Sequence, residues 1–122
     1  MRGLLTALGV IAFKRSSRVY IPDEEIHSII AKLIHKPNPV IIDGGAHLGD
    51  TTEKLQALLP LSEFHCFEPD PVVSALFIQK FTGNTKISLI QAALGDSAGK
   101  VKFQINASRP CNSILPLSLI HI

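Results

Sequence analysis

Residues 39–52, PVIIDGGAHLGDTT, contain the pattern from which the fold of this chain is predicted. Its first part is a short apolar run rich in β-branched residues, which is typical of a strand buried on both faces. Asp43 ends the run, three glycines follow within six positions, and residues 51–59 show helical spacing. Strand, glycine turn and helix form the first half of a βαβ unit, in which glycine lets the backbone turn sharply and approach a ligand. Because ligands bind α/β sheets at the carboxyl ends of strands, we expect any binding site to begin at Asp43.

Length and composition predict one folded domain. The chain has 122 residues, of which 46% are apolar and 18% charged, a balance that indicates a globular protein. The net charge of +2 is small and its basic residues are scattered, so we expect no nucleic-acid partner. Cys66 and Cys111 lack the spacing of metal ligands, and we expect no metal site. Cys66 lies in an apolar run, which predicts a buried free thiol and a reducing, cytoplasmic compartment.

The remaining pattern predicts further elements of an α/β fold. A helix is predicted over 22–36, because Pro22 and three acidic residues precede apolar residues at helical spacing. A second buried strand is predicted over 63–67, and a helix over 71–81 capped by Asp70. A third strand is predicted over 87–93. The alternation over 101–105 predicts a half-exposed strand that pairs with the third as a hairpin.

Residues 1–21 are predicted to form a separate apolar and basic segment before the domain over 22–122. The apolar run Leu4–Phe13 is shorter than the roughly 20 residues that a helix needs to span a bilayer. We expect a short helix that packs on the domain. Contact with a membrane surface through residues 1–18 and a signal peptide are the alternatives.

The glycine turn could belong to one of three kinds of ligand site. A phosphate-binding P-loop is excluded because Asp50 stands where that loop needs lysine. A dinucleotide site needs G-x-G-x-x-G, whereas the glycines here follow G-G-x-x-x-G, and Asp43 and Asp50 would repel a pyrophosphate. The same acids favour the cationic methionine portion of S-adenosylmethionine. Glu68, 25 residues after Asp43, is placed to accept hydrogen bonds from ribose hydroxyls, which suits either S-adenosylmethionine or NAD.

Four linked motifs resemble the FkbM family of methyltransferases over about residues 38–116. They are VIIDGGAHLGD at 40–50, FEPDP at 67–71, AALGD at 92–96 with GKVKF at 99–103, and NSIL at 112–115. The resemblance implies a Rossmann-like class I fold that uses S-adenosylmethionine. It also implies O-methylation of a hydroxyl on a small-molecule or glycan acceptor, such as a sugar, a polyketide or another secondary metabolite.

The resemblance also implies which residues bind the cofactor. The methionine end would be lined by the glycine turn, namely Asp43, Gly44, Gly45, Ala46 and Gly49. The ribose would be held by Glu68, beside Pro69. The adenine would lie near Ala93, Leu94 and Asp96, and Ser113 would close the site. For Asp70, capping of the following helix is preferred over ligand contact. No residue is assigned to catalysis.

The chain departs from the family after Ser113. Family members continue with a fourth strand bearing Asp-x-Glu-Gly, and nothing similar follows here. We therefore expect the chain to represent the cofactor-binding half of such an enzyme, truncated after the third parallel strand and a hairpin strand. The strand that ends at Asp43 would keep an unpaired edge, which predicts self-association. A truncated, non-catalytic remnant and, less favoured, an NAD-binding domain are the alternative functions.

Overall fold

A computed structural model describes residues 5–7, 10–12 and 22–105, with side chains described only for residue 22 and residues 25–105. Eight elements follow one another in these ranges. They are β1 Leu5–Ala7, β2 Val10–Ala12, α1 Asp23–Leu33, β3 Val40–Gly44, α2 Asp50–Leu58, β4 Glu63–Phe67, α3 Pro71–Lys80 and β5 Ile87–Ile90. None of the helices in these ranges is long and apolar enough to cross a membrane.

The central element is a parallel sheet in the order β3-β4-β5. Asp43 lies beside Cys66, and Gly44 lies beside Phe67, which in turn lies beside Ile90. Successive strands are joined by α2 and α3, so the arrangement is βαβαβ, half of a Rossmann-like sheet. The predicted α/β class is confirmed, and all three strands end at the same edge of the sheet.

The N-terminal helix prediction is wrong for the described residues of that segment. β1 and β2 form an antiparallel pair, with Leu5 opposite Ala12 and Ala7 opposite Val10. The physical reason lies in the β-branched side chains of Val10 and Ile11, which favour an extended backbone over a helix. The other residues of 1–21 lie outside the described ranges.

α1 differs most from its predicted bounds, whereas no end of α2 or α3 differs by more than one residue. α1 begins at Asp23, with Pro22 as its N-cap, and ends at Leu33 rather than at residue 36 because Ile34 is already extended. Pro37 disfavours helical geometry in Lys36, so the helix does not reach residue 36 as predicted. α3 follows the prediction closely: the Asp70 carboxylate accepts hydrogen bonds from the backbone amides of Val72 and Val73 at 2.8 and 3.3 Å.

The region after β4 is less regular than predicted. β5 ends at Ile90 instead of residue 93, since the chain turns there and the Ala92 amide donates to the Ile90 carbonyl at 2.8 Å. The hairpin strand predicted over 101–105 is wrong, because those residues form only an isolated bridge at Gln104. Val101 and Ile105 remain exposed and only Phe103 is half-buried, so the alternating pattern buries too little apolar surface to hold a strand in place.

Helices cover one face of the sheet in the described part of the chain. Phe64 and Cys66 of β4 point to that face and pack with Ala46, Leu55 and Phe77. The opposite face exposes Val40 and Ile42, which are 58% and 67% accessible. Among the described strands, β3 pairs only with β4, so its outer edge keeps unpaired backbone groups.

We expect the chain to self-associate through the β3 edge, and Ile42→Lys to reduce that association, because a charge on an edge strand opposes pairing with another strand. Sedimentation velocity over a range of concentrations measures it. Leu61→Lys is the matched control, since Leu61 is 59% exposed in the turn before β4. A wild-type chain that stays monomeric at every concentration, or equal effects of the two variants, would contradict this expectation.

Candidate functional site

The glycine turn is tied to the end of the neighbouring strand. The amides of Gly45 and Ala46 both donate to the Phe67 carbonyl, at 2.8 and 2.9 Å. One strand further along, the Glu68 amide donates to the Ile90 carbonyl at 3.2 Å. The turn after β3, the residue after β4 and the end of β5 therefore meet at one edge of the sheet, where α/β folds bind ligands.

Glu68 connects two loops through its carboxylate. Oε2 accepts a hydrogen bond from the His47 amide at 3.0 Å, and Oε1 accepts one from the Asp70 amide at 2.9 Å. The residue is only 6% exposed. A carboxylate has about four acceptor positions, so these two bonds fix its orientation and leave further lone pairs for hydroxyl donors. Glu68 both holds the glycine turn and remains chemically able to bind a ribose.

Asp43 is oriented by a residue that the sequence analysis missed. The Thr52 hydroxyl donates to Oδ2 of Asp43 at 2.6 Å and lies 3.5 Å from Sγ of Cys66. Thr52 is fully buried, whereas Asp43 is half-buried. The helical spacing could have indicated that Thr52 is buried, because it lies three residues before Leu55 and on the same side of the helix.

The three glycines of the turn have different neighbours. Gly45 has φ +82° and no atom within 4 Å of the position where a Cβ would lie, so the space beside it is open. Gly49 has φ +79°, and a Cβ there would overlap the rings of Phe77 and Phe81. A Cβ at Gly44 would lie 2.8 Å from Cδ1 of Leu94. Gly45 thus faces open space, Gly49 allows α2 to pack on α3, and Leu94 lies over the turn.

The other predicted site residues occupy varied positions. Ala46 is buried in the core, so only its backbone reaches the site. Pro69 and Ala93 are half-buried next to the ends of β4 and β5. Asp96 is exposed and accepts a hydrogen bond from the Ser97 hydroxyl at 3.1 Å. Ser113 lies outside the described residues.

Asp50 is ion-paired with Lys80 of α3, so its surroundings differ from those of Asp43, with which the sequence analysis grouped it. Lys80 Nζ lies 3.0 Å from Oδ1 of Asp50 and 2.9 Å from Oε2 of Glu53. The hydrogen bond and charge of Lys80 lower the pKa of Asp50. The hydrogen bond to Glu53 is the largest cause that raises the pKa of Lys80. Lys80 is shared between Asp50 and Glu53 and offsets one of their two charges, whereas Asp43 has no ion-pair partner within residues 25–105.

Cys66 is a buried free thiol, as predicted. Burial raises the pKa of this thiol, and the nearby Asp43 charge acts in the same direction. The thiol is therefore protonated and unreactive at neutral pH. The reducing, cytoplasmic compartment of the protein remains a prediction.

An apolar groove of about 380 Å³ lies between α3 and β5. Phe77, Phe81, Ile87 and Leu89 contribute to its walls. Its wall carries no charged side chain. A cationic or hydroxyl-rich cofactor finds no ionic or charge-assisted partner there, so the edge of the sheet is the better candidate site.

Comparison with known proteins supports a methyltransferase relationship. No protein-family profile matches the chain. Over 79 residues, 65% of the chain, it is 32% identical to the 2-O-methyltransferase NoeI of Sinorhizobium fredii. The chain spans about a third of the length of that relative, 32%. Within that aligned part, the chain is homologous to a methyltransferase.

Among solved structures, the chain is similar to the precorrin-6y C5,15-methyltransferase of Geobacter metallireducens. The TM-score is 0.44 at 18% identity, over 62% of this chain and 42% of that one. A likeness at this level carries no weight for the fold, which is established by the strand order and register of the chain itself.

We expect Gly45→Ala and Gly49→Ala to differ in their effect on stability. Both positions have a left-handed backbone, which costs a non-glycine residue about 1–2 kcal/mol. Gly49→Ala adds overlap with two phenylalanine rings, and overpacking costs about 1–3 kcal/mol more. Urea denaturation of the two variants measures the difference. Equal losses would show that Gly49 does not pack against α3 as described.

Proposed function

We propose that the chain carries the S-adenosylmethionine-binding part of a methyltransferase of the FkbM type. The observation that carries this proposal is the 32% identity to a 2-O-methyltransferase over 79 residues. The geometry supports it, because Asp43, Gly45 and Glu68 lie around one edge of a parallel sheet. Residues 22–122 would form the cofactor-binding part of a longer domain.

The residues at this edge fit the proposed cofactor. The open space beside Gly45 allows a ligand to approach the backbone closely. Asp43 places a carboxylate where a sulfonium or ammonium group gains electrostatic stabilisation. The lone pairs of Glu68 that the His47 and Asp70 amides leave open suit ribose hydroxyls. Leu94 offers an apolar surface over the turn for the adenine.

When bound, S-adenosylmethionine supplies an electrophilic methyl group. The contribution of this chain is to bind and orient that group in line with an acceptor hydroxyl, which converts a bimolecular step into an intramolecular one. The proposed acceptor is a hydroxyl on a sugar or secondary metabolite. The group that removes the hydroxyl proton is not assigned to any residue of this chain.

Isothermal titration of the chain with S-adenosylhomocysteine tests the proposal, with NAD titrated in parallel. We expect saturable binding of S-adenosylhomocysteine and none of NAD. Glu68→Ala should weaken binding about tenfold or more, the effect of losing hydrogen bonds to a charged group. Saturable NAD binding without S-adenosylhomocysteine binding would overturn the proposal. No binding by a folded chain would favour the non-catalytic remnant.

Two further variants separate ligand binding from folding. Glu63→Ala is the matched control, because Glu63 lies at the opposite end of β4 with a side chain that is 62% exposed. It should leave affinity unchanged. Glu68→Gln keeps the side-chain length but replaces one acceptor oxygen with an amide NH₂ group, which can only donate, so it should fold better than Glu68→Ala and still bind more weakly than the wild type.

A further inference from the structure

A buried hydrogen-bond chain leads from the interior of the sheet to the candidate site. It joins the Cys66 thiol on β4, the Thr52 hydroxyl on α2 and the Asp43 carboxylate on β3, with distances of 3.5 and 2.6 Å. Thr52 and Cys66 are both 0% exposed. Their polar atoms therefore have no contact with water. Of the three hydrogen-bonded groups, only the Asp43 carboxylate is half-exposed.

The donor and acceptor in each of these two hydrogen bonds follow from the number of hydrogens that each group carries. A hydroxyl carries one hydrogen, and an ionised carboxylate can only accept. Because Thr52 donates its hydrogen to Oδ2 of Asp43, its oxygen is free to accept from the Cys66 thiol. The raised pKa of Cys66, caused mainly by burial, keeps that thiol protonated and able to donate. The thiol therefore donates to the hydroxyl, and the hydroxyl donates to the carboxylate.

The contact fixes one oxygen of Asp43 and leaves the other available. A length of 2.6 Å is typical of a charge-assisted hydrogen bond to a carboxylate. Oδ2 receives this bond, while within residues 22–105 no hydrogen bond is made to Oδ1. Since Thr52 belongs to the first turn of α2, the rigid start of the helix sets the plane of the carboxylate.

We infer that Thr52 is a positioning residue that holds Asp43 so that Oδ1 faces the ammonium group of the cofactor's amino-acid portion. The inference rests on the proposed function and assigns to Thr52 a role that a buried helix residue would not otherwise need. Thr52 does not touch the cofactor; it acts through Asp43. Its hydroxyl therefore matters for ligands that carry the amino-acid portion and not for those that lack it.

The test compares two ligands that share an adenosine thioether. S-adenosylhomocysteine carries the amino-acid portion, and 5′-methylthioadenosine does not. Titration of the Thr52→Val chain should show affinity for S-adenosylhomocysteine reduced about tenfold, the usual effect of disturbing a hydrogen bond to a charged group. Affinity for 5′-methylthioadenosine should be unchanged. A change in the ratio of the two affinities is not expected from a purely structural role.

Two control variants keep the test decisive. Thr52→Ser retains the hydroxyl and should restore the wild-type ratio, even if the smaller side chain lowers stability. Thr51→Val makes the same exchange at the adjacent, exposed threonine and should change neither affinity. If Thr52→Val leaves the ratio of the two affinities unchanged, whether both fall equally or neither falls, the inference is overturned and the proposed function is not. Failure of the wild-type chain to bind either ligand would overturn the proposed function and this inference together.

Discussion

The parallel register of β3 against β4 places Gly44 beside Phe67, and the candidate site depends on this alignment. It brings the Phe67 carbonyl within reach of the Gly45 and Ala46 amides, so the turn after β3 is held by the end of β4. A shift of one residue would turn Asp43 to the opposite face, away from Thr52. The glycine turn is therefore shaped by its neighbour strand as well as by its own sequence.

The hydrogen bonds of two buried polar residues then fix the positions of the groups around this edge of the sheet. Glu68 bonds to amides in two different loops, and Thr52 bonds to the carboxylate at the end of β3. Buried polar groups are costly without partners, so each of these contacts restricts the local structure to one arrangement. The acids that were expected to act together have separate surroundings: Asp43 lies at the site, and Asp50 pairs with Lys80 on α3.

The sequence predicted features that depend on local chemistry. β4 was predicted with its observed bounds, and the Asp70 cap followed from the position of Asp70 before Pro71. Features that depend on distant partners were missed. The Lys80–Asp50 pair joins residues 30 positions apart, and the Thr52–Asp43 bond needs the packing of α2 on the sheet. The hairpin predicted over 101–105 was wrong because alternation alone does not supply a neighbouring strand.

The candidate site requires the ends of three parallel strands to form one cofactor-binding surface. The most direct measurement is the change in backbone amide NMR signals when S-adenosylhomocysteine is added to the chain. We predict shifts concentrated in residues 43–49, 67–70 and 90–96, which the strand register brings together. Shifts confined to the groove around Phe77 and Phe81, or none at all, would show that the strand ends do not bind the cofactor.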